Sequence, residues 1–106
     1  MADRAAVSAV QDYLQVVRRS GIGASRAVLF GSFSREDAGP DSDIDILVIA
    51  AEFDGPYDHR KVDLLWQLRA VTDSRIEPVA VGERQWQEDD SNPLIEMARR
   101  EGIPIT

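Results

Sequence analysis

The sequence predicts an α+β domain, in which helices pack against a small mixed β-sheet. Segments whose apolar residues recur at helical spacing alternate along the chain with short apolar runs that are typical of strands. Their order, helix–strand–strand–helix–strand–helix, is typical of a mixed sheet covered by helices. With 106 residues, the chain is expected to form a single domain over residues 1–106.

The first helix is expected to begin at the N-cap Asp3 and to end before Gly21, because the apolar stripe stops there. Pro78 interrupts the third apolar run, and proline cannot donate to a strand ladder, so this strand is predicted to lie at a sheet edge or to be irregular at Pro78. Residues 31–42 are predicted to form a loop that can hold one helical turn around Arg35, and no element is predicted for the polar segment after Gly82. The predicted helices span 3–20, 57–73 and from Ser91 or Asn92 to Arg100, and the predicted strands span 27–30, 43–50, 76–81 and 103–105.

Charge and composition exclude several classes of function. The formal net charge is -7, which disfavours general nucleic-acid binding because an acidic surface repels phosphates. No apolar run approaches the roughly 18 residues that span a bilayer, so no membrane association is expected. The chain has no cysteine, which fits a reducing compartment, and we expect a cytoplasmic protein.

Two carboxylates open the second predicted strand. Asp43 and Asp45 are two residues apart, so on a strand both project from one face, while Ile44 and Ile46 project from the other. Two adjacent carboxylates repel each other unless a cation lies between them. Magnesium prefers one or two carboxylates together with substrate phosphate oxygens, so the pair suits a metal–nucleotide.

Gly31-Ser32, at the end of the preceding strand, is suited to phosphate binding. Glycine allows a phosphate to approach the backbone, whose N–H groups can then donate to it, and the Ser32 hydroxyl adds a donor. Arg35 lies in the same loop, where its guanidinium can reach the same phosphates. If the second and third strands pair, Glu77 stands beside Asp45, and three carboxylates can bind two metal ions about 3.5–4 Å apart.

Each of these features also has a purely structural interpretation. Aspartate stabilises turns, so Asp43 and Asp45 can be interpreted as turn residues. Gly31-Ser32 alone is usually a tight turn, and Glu77 alone is usually a solvent-facing strand residue. The ordered combination along the chain favours the functional interpretation.

The combination resembles the signature of the polymerase-beta-like nucleotidyltransferase superfamily, and the whole chain is similar to the minimal nucleotidyltransferase proteins of prokaryotes. The resemblance implies a nucleotidyltransferase fold, contact of Gly31 and Ser32 with the triphosphate of ATP, and binding of Mg²⁺, as two ions, by Asp43 and Asp45. By position, Glu77 corresponds to the third carboxylate of the family and Arg35 to its loop arginine. Ser42, which opens the Ser-Asp-x-Asp motif, is placed with the nucleotide-binding residues.

Two residues depart from the family pattern. Glu36 stands where a glycine often follows the loop arginine, so an acidic group lies beside the expected phosphate site. Glu77 stands where aspartate is frequent and is longer by one methylene.

The resemblance further implies transfer of AMP from ATP to a hydroxyl, plausibly a tyrosine of a small helical HEPN toxin encoded nearby, with the chain as antitoxin in a hetero-oligomer. A different class of function is a non-catalytic antitoxin that neutralises a helical partner by contact. A chain this small has little left to enclose a substrate, so a partner is expected to cover the carboxylate face. Trp86 and Phe53 are the residues expected to be exposed at that contact.

Overall fold

The computed structural model of the chain describes residues 3–33, 39 and 42–106, apart from the side chain of Ser32. Short 3-10 turns follow β1, β2 and α2. The helices are α1 Arg4–Arg19, α2 His59–Gln67, α3 Glu83–Glu88 and α4 Pro93–Glu101; the strands are β1 Ala24–Phe30, β2 Ile44–Ala50, β3 Ile76–Val81 and β4 Ile103–Ile105; and the 3-10 turns are Gly31–Phe33, Ala51–Asp54 and Leu68–Val71.

The strands form one mixed sheet in the order β3-β2-β1-β4. β1 is antiparallel to both β2 and β4, whereas β2 and β3 are parallel. This arrangement confirms the predicted α+β class with a mixed sheet. β3 lies at an edge, which is one of the two alternatives that Pro78 left open, and the opposite edge strand β4 also contains a proline, Pro104.

Apolar side chains cover both faces of the central strands. The even-numbered residues of β2 point towards α1 and α2, while Leu47 and Ile49 point towards α4 and Trp86 of α3. The side chains of Ile44, Ile46 and Leu47 are all fully buried. A strand buried on both faces gives a rigid support for the residues at its ends, and Asp45 lies on the α4 side of that support.

Both ends of α1 are closed as the sequence predicted. The Asp3 carboxylate accepts hydrogen bonds from the N–H groups of Ala5 and Ala6, at 2.8 and 3.3 Å. Gly21 has a positive φ of 98°, and its N–H donates to the Arg18 carbonyl, while the Ile22 N–H donates to the Val17 carbonyl. This pair of bonds is a Schellman motif, which glycine permits because it has no Cβ.

The second helix is shorter than predicted. Residues 57–73 contain α2 from His59 to Gln67, capped by Asp58, and then a 3-10 turn over Leu68–Val71. The Thr72 hydroxyl donates to the Leu68 carbonyl and closes this turn. The apolar spacing is nearly the same in both kinds of helix over a single turn, so the periodicity did not distinguish them.

The short helix α3 lies in the polar segment after Gly82, for which the sequence predicted no element. Its N-terminus is capped from a distance: the Asp54 carboxylate accepts from the N–H groups of Arg84 and Gln85, at 2.9 and 3.1 Å. The capping residue is about thirty positions away in the sequence, so no local signal marked this helix. The first strand is longer than predicted, because β1 begins at Ala24 and not at residue 27.

Among the described residues, no helix is both long enough and apolar enough to cross a bilayer.

Candidate functional site

Asp45 and Glu77 lie side by side on the parallel strands β2 and β3. The strand register pairs Asp45 directly with Glu77, as it pairs Ile44 with Ile76. Paired residues on neighbouring strands project to the same face, so the two carboxyl groups meet on the α4 side of the sheet. The prediction that these two strands would bring Glu77 beside Asp45 is therefore confirmed.

The two carboxyl groups interact strongly. Partial burial, a hydrogen bond with Glu77, the negative charge of Glu77 and that of Asp43 together raise the pKa of Asp45 to about 6, and burial is the largest of these causes. Like charges held close together favour the protonated form of one partner. Near neutral pH this end of the sheet therefore concentrates negative charge that a cation would stabilise.

The turn after β1 packs directly against Asp45. Phe30 pairs with Asp45 across β1 and β2, and Gly31 follows with a positive φ of 75°. A Cβ atom built on Gly31 would lie 2.8 Å from the Oδ2 atom of Asp45. Only glycine fits this position without displacing the carboxylate, so the backbone of the turn and the carboxylate are held next to each other.

The carboxylates of the site fit a cation whose other ligands are water and phosphate oxygens. Asp43 is exposed and lies immediately before β2, which begins at Ile44 and not at residue 43 as predicted, and its negative charge acts on Asp45. In residues 3–33, 39 and 42–106, no three acidic or histidine side chains are grouped closely enough to hold a metal ion alone. Magnesium usually binds one or two carboxylates and completes its coordination with water and phosphate oxygens. The Asp45–Glu77 pair meets that smaller requirement.

The structure places only some of the predicted loop residues. The Ser42 hydroxyl accepts a hydrogen bond from the Gly39 N–H at 2.9 Å, which shapes the end of the loop before β2. Its contact with a nucleotide stays a prediction. Arg35 and Glu36 lie outside the described residues, as does the hydroxyl of Ser32, so their roles also stay predictions.

Three residues near the site were not singled out from the sequence. Arg75 precedes β3, forms an ion pair with Asp73 at 2.9 Å, and lies over the ring of Phe33 with 5.8 Å between the guanidinium carbon and the ring centroid. The spacing of Arg75, two residues before Glu77, was a signal that could have identified it.

The predicted exposure of Trp86 and Phe53 was wrong. Both are partly buried: Phe53 packs against the core beneath α1 and α2, and Trp86 packs on the opposite side of the sheet. Phe53 also follows the carboxyl end of β2, whereas Asp45 lies near its start. Neither residue forms an exposed apolar centre beside the carboxylates.

A glycine turn beside paired carboxylates, at one end of a mixed sheet, defines a domain suited to binding phosphate groups through a cation. A model of the nucleotidyltransferase domain family matches residues 11–98, which is most of the chain. The chain therefore belongs to the nucleotidyltransferase domain family, and its sheet and helices have the corresponding fold.

Two solved structures are similar to the chain. One is a protein of Sulfolobus solfataricus provisionally assigned as a nucleotidyltransferase, with 14% identity, a TM-score of 0.63, and 92% of this chain and 77% of that chain covered. The other is a chain from a crystal structure described as the toxin–antitoxin with AMP-PNP, with 26% identity, a TM-score of 0.62, and coverage of 89% and 70%. A search of curated proteins finds no significant match. The minimal-nucleotidyltransferase-like identification made from the sequence is thus confirmed.

Proposed function

We propose that the protein is a magnesium-dependent nucleotidyltransferase that transfers AMP from ATP to a hydroxyl group on a partner protein. The observation that carries this proposal is the contact of Gly31 with the Asp45 carboxylate, itself paired with Glu77. Membership of the family supports the class of reaction, and similarity to a toxin–antitoxin structure containing AMP-PNP, an ATP analogue, supports an adenine nucleotide and a partner toxin.

In the proposed reaction, the oxygen of the acceptor hydroxyl forms a bond to the α-phosphorus of ATP. The bond from that phosphorus to the bridging oxygen of the β-phosphate breaks, and pyrophosphate leaves. Glu77 accepts the proton of the hydroxyl, directly or through water. Asp45 and Glu77, with Asp43 beside them, would hold magnesium ions whose coordination is completed by phosphate oxygens, and these ions would supply neutralisation of the phosphate charge.

The remaining steps depend on backbone and loop groups. The N–H groups after Gly31 donate to phosphate oxygens, which explains why a glycine with positive φ stands at this position. The hydroxyls of Ser32 and Ser42 and the guanidinium of Arg35 are proposed to bind the same triphosphate. Their shared task is orientation, because correct placement of reactants contributes a large part of rate acceleration.

The proposed acceptor belongs to a small helical toxin of the HEPN type, and the chain would act as its antitoxin. The net charge of -7 favours a partner with a basic surface, and the rate of their association would fall as the salt concentration rises. The partner would also cover the carboxylate face.

The test is to express the chain with its genomic neighbour and to incubate the purified complex with Mg²⁺ and ATP labelled at the α-phosphate. Label on the partner, absent when the chain carries Asp45→Asn, is the expected result. Asp90→Asn, an exposed acid elsewhere on the surface, serves as the matched control and should leave labelling intact. A stable complex that binds the nucleotide without labelling the partner would contradict transfer and favour neutralisation by contact.

A further inference from the structure

Resting on this proposed function, we propose that Arg75 is a positioning residue that holds the Gly31–Phe33 turn at a fixed place beside the carboxylate pair. In a domain with few residues, the backbone that is proposed to bind phosphate needs such support to keep its position.

The backbone of Arg75 connects the starts of the two strands that carry the carboxylates. Its carbonyl accepts a hydrogen bond of 2.8 Å from the Ile44 N–H, and Ile44 immediately precedes Asp45. Glu77 follows Arg75 by two residues. The main chain of Arg75 is therefore linked to the strand segments that carry both members of the carboxylate pair.

The guanidinium of Arg75 is held in one orientation by Asp73. Its Nε donates to Oδ1 at 3.1 Å and its Nη2 to Oδ2 at 2.9 Å, a forked arrangement that fixes the plane of the group. The Asp73 carboxylate also accepts from the Arg75 N–H at 2.9 Å. Accordingly, these bonds lower the pKa of Asp73 and raise the pKa of Arg75.

The oriented guanidinium then contacts the end of the glycine turn. Its central carbon lies 5.8 Å from the centroid of the Phe33 ring, within the range of a cation–π contact. Phe33 is the last residue of the turn that starts at Gly31, and only 4% of it is exposed. Arg75 thus joins Phe33 on one side to the strand ends on the other.

A different role for Arg75 would be direct attraction of the triphosphate. In the structure its charge is already matched by Asp73, and two of its N–H groups point at that carboxylate. The two roles predict opposite effects of Asp73→Asn. Loss of the fork weakens nucleotide binding if Arg75 positions the turn, whereas release of the cation strengthens binding if Arg75 attracts phosphate.

The experiment measures the Kd of Mg²⁺ with AMP-PNP for the full chain by calorimetry, together with the melting temperature. Arg75→Lys keeps the charge and removes the forked pair of hydrogen bonds with Asp73. This variant and Asp73→Asn should each raise the Kd about fivefold, which corresponds to the loss of a contact worth roughly 1 kcal/mol. Combining them should add little to either. Arg84→Lys, in an exposed ion pair with Glu88, is the control and should bind like the wild type.

Phe33→Leu tests the contact between Arg75 and Phe33 by changing the ring, and it gives a result even if an Arg75 variant does not fold. It preserves apolar bulk, removes the ring, and should raise the Kd by a similar factor. Wild-type affinity in Arg75→Lys, or tighter binding in Asp73→Asn, would overturn the positioning role. Failure of the wild type to bind any magnesium–nucleotide would instead overturn the proposed function itself.

Discussion

Replacing Asp45 with asparagine should stabilise the metal-free protein at pH 7. Asparagine has the shape of the protonated carboxyl, and it removes the repulsion that Glu77 and Asp43 exert on the Asp45 carboxylate. Its amide can donate to Glu77, so the hydrogen bond between the strands is kept.

The magnitude follows from the pKa. A rise from 3.8 to about 6 would correspond to roughly 3 kcal/mol for a fully buried carboxyl. Asp45 is only partly buried, and solvent screening reduces the expected gain in the free energy of unfolding to about 1 kcal/mol. In a domain of this size, that corresponds to an increase in melting temperature of about 4 °C.

The pH dependence of the stability difference gives a second check on the same pKa. Because the folded-state pKa of Asp45 is above the unfolded value, the folded protein keeps a proton between about pH 4 and pH 6 that the unfolded chain has released. The contribution of Asp45 to wild-type stability is complete below this range and is lost as the pH rises through it. The asparagine variant has no such loss, so the two proteins should differ at pH 7 and converge near pH 4.

The assay is thermal unfolding in EDTA at pH 4.5 and pH 7, repeated at pH 7 with Mg²⁺ and ATP. Only the wild type should gain stability from the ligand, by about 2.7 kcal/mol at a hundred times its Kd. A variant less stable than the wild type at pH 7, or a difference that is the same at both pH values, would refute the electrostatic reasoning. Asp90→Asn should show neither effect.

Three further substitutions test other parts of the fold. Gly31→Ala should lower the free energy of unfolding by about 1–2 kcal/mol, because alanine is strained at positive φ. It should also weaken nucleotide binding, because its Cβ would approach Asp45, and unchanged binding by calorimetry would contradict the close contact. Tyr13→Phe removes the buried hydroxyl that donates to the Leu65 carbonyl at 2.6 Å and should cost about 1–2 kcal/mol in denaturant unfolding, so a neutral result would exclude a structural role for that bond. Asp54→Ala should cost about 1 kcal/mol and increase amide exchange in α3, and unchanged exchange would show that the cap is not needed.

Much of the sheet could be predicted from the sequence because its signals are local. The strand β2 was recognised from a continuous apolar run, and Pro78 indicated that β3 would be either an edge strand or irregular. The pairing of Asp45 with Glu77 was predicted on the condition that β2 and β3 pair, which they do. Alternation along strands is strict, so one correct pairing fixed both the partner and the face.

The features that were missed depend on contacts between distant segments. The cap of α3 comes from Asp54, and the turn ending at Phe33 contacts Arg75, more than forty residues later. Periodicity carries no information about such contacts. The expectation that Phe53 would be exposed failed for the same reason, since its burial depends on where the segment after β2 folds back against the core.

The prolines in the two edge strands have a consequence for the behaviour of the protein at high concentration. Pro78 lies within β3 and Pro104 within β4, so each border of the sheet has a position without an N–H donor. Prolines at sheet edges discourage the addition of strands from other molecules, which is a common route to aggregation. We therefore expect the chain to resist fibrillar self-association, and association with other proteins to use helices, turns and sheet faces in preference to the borders of the sheet.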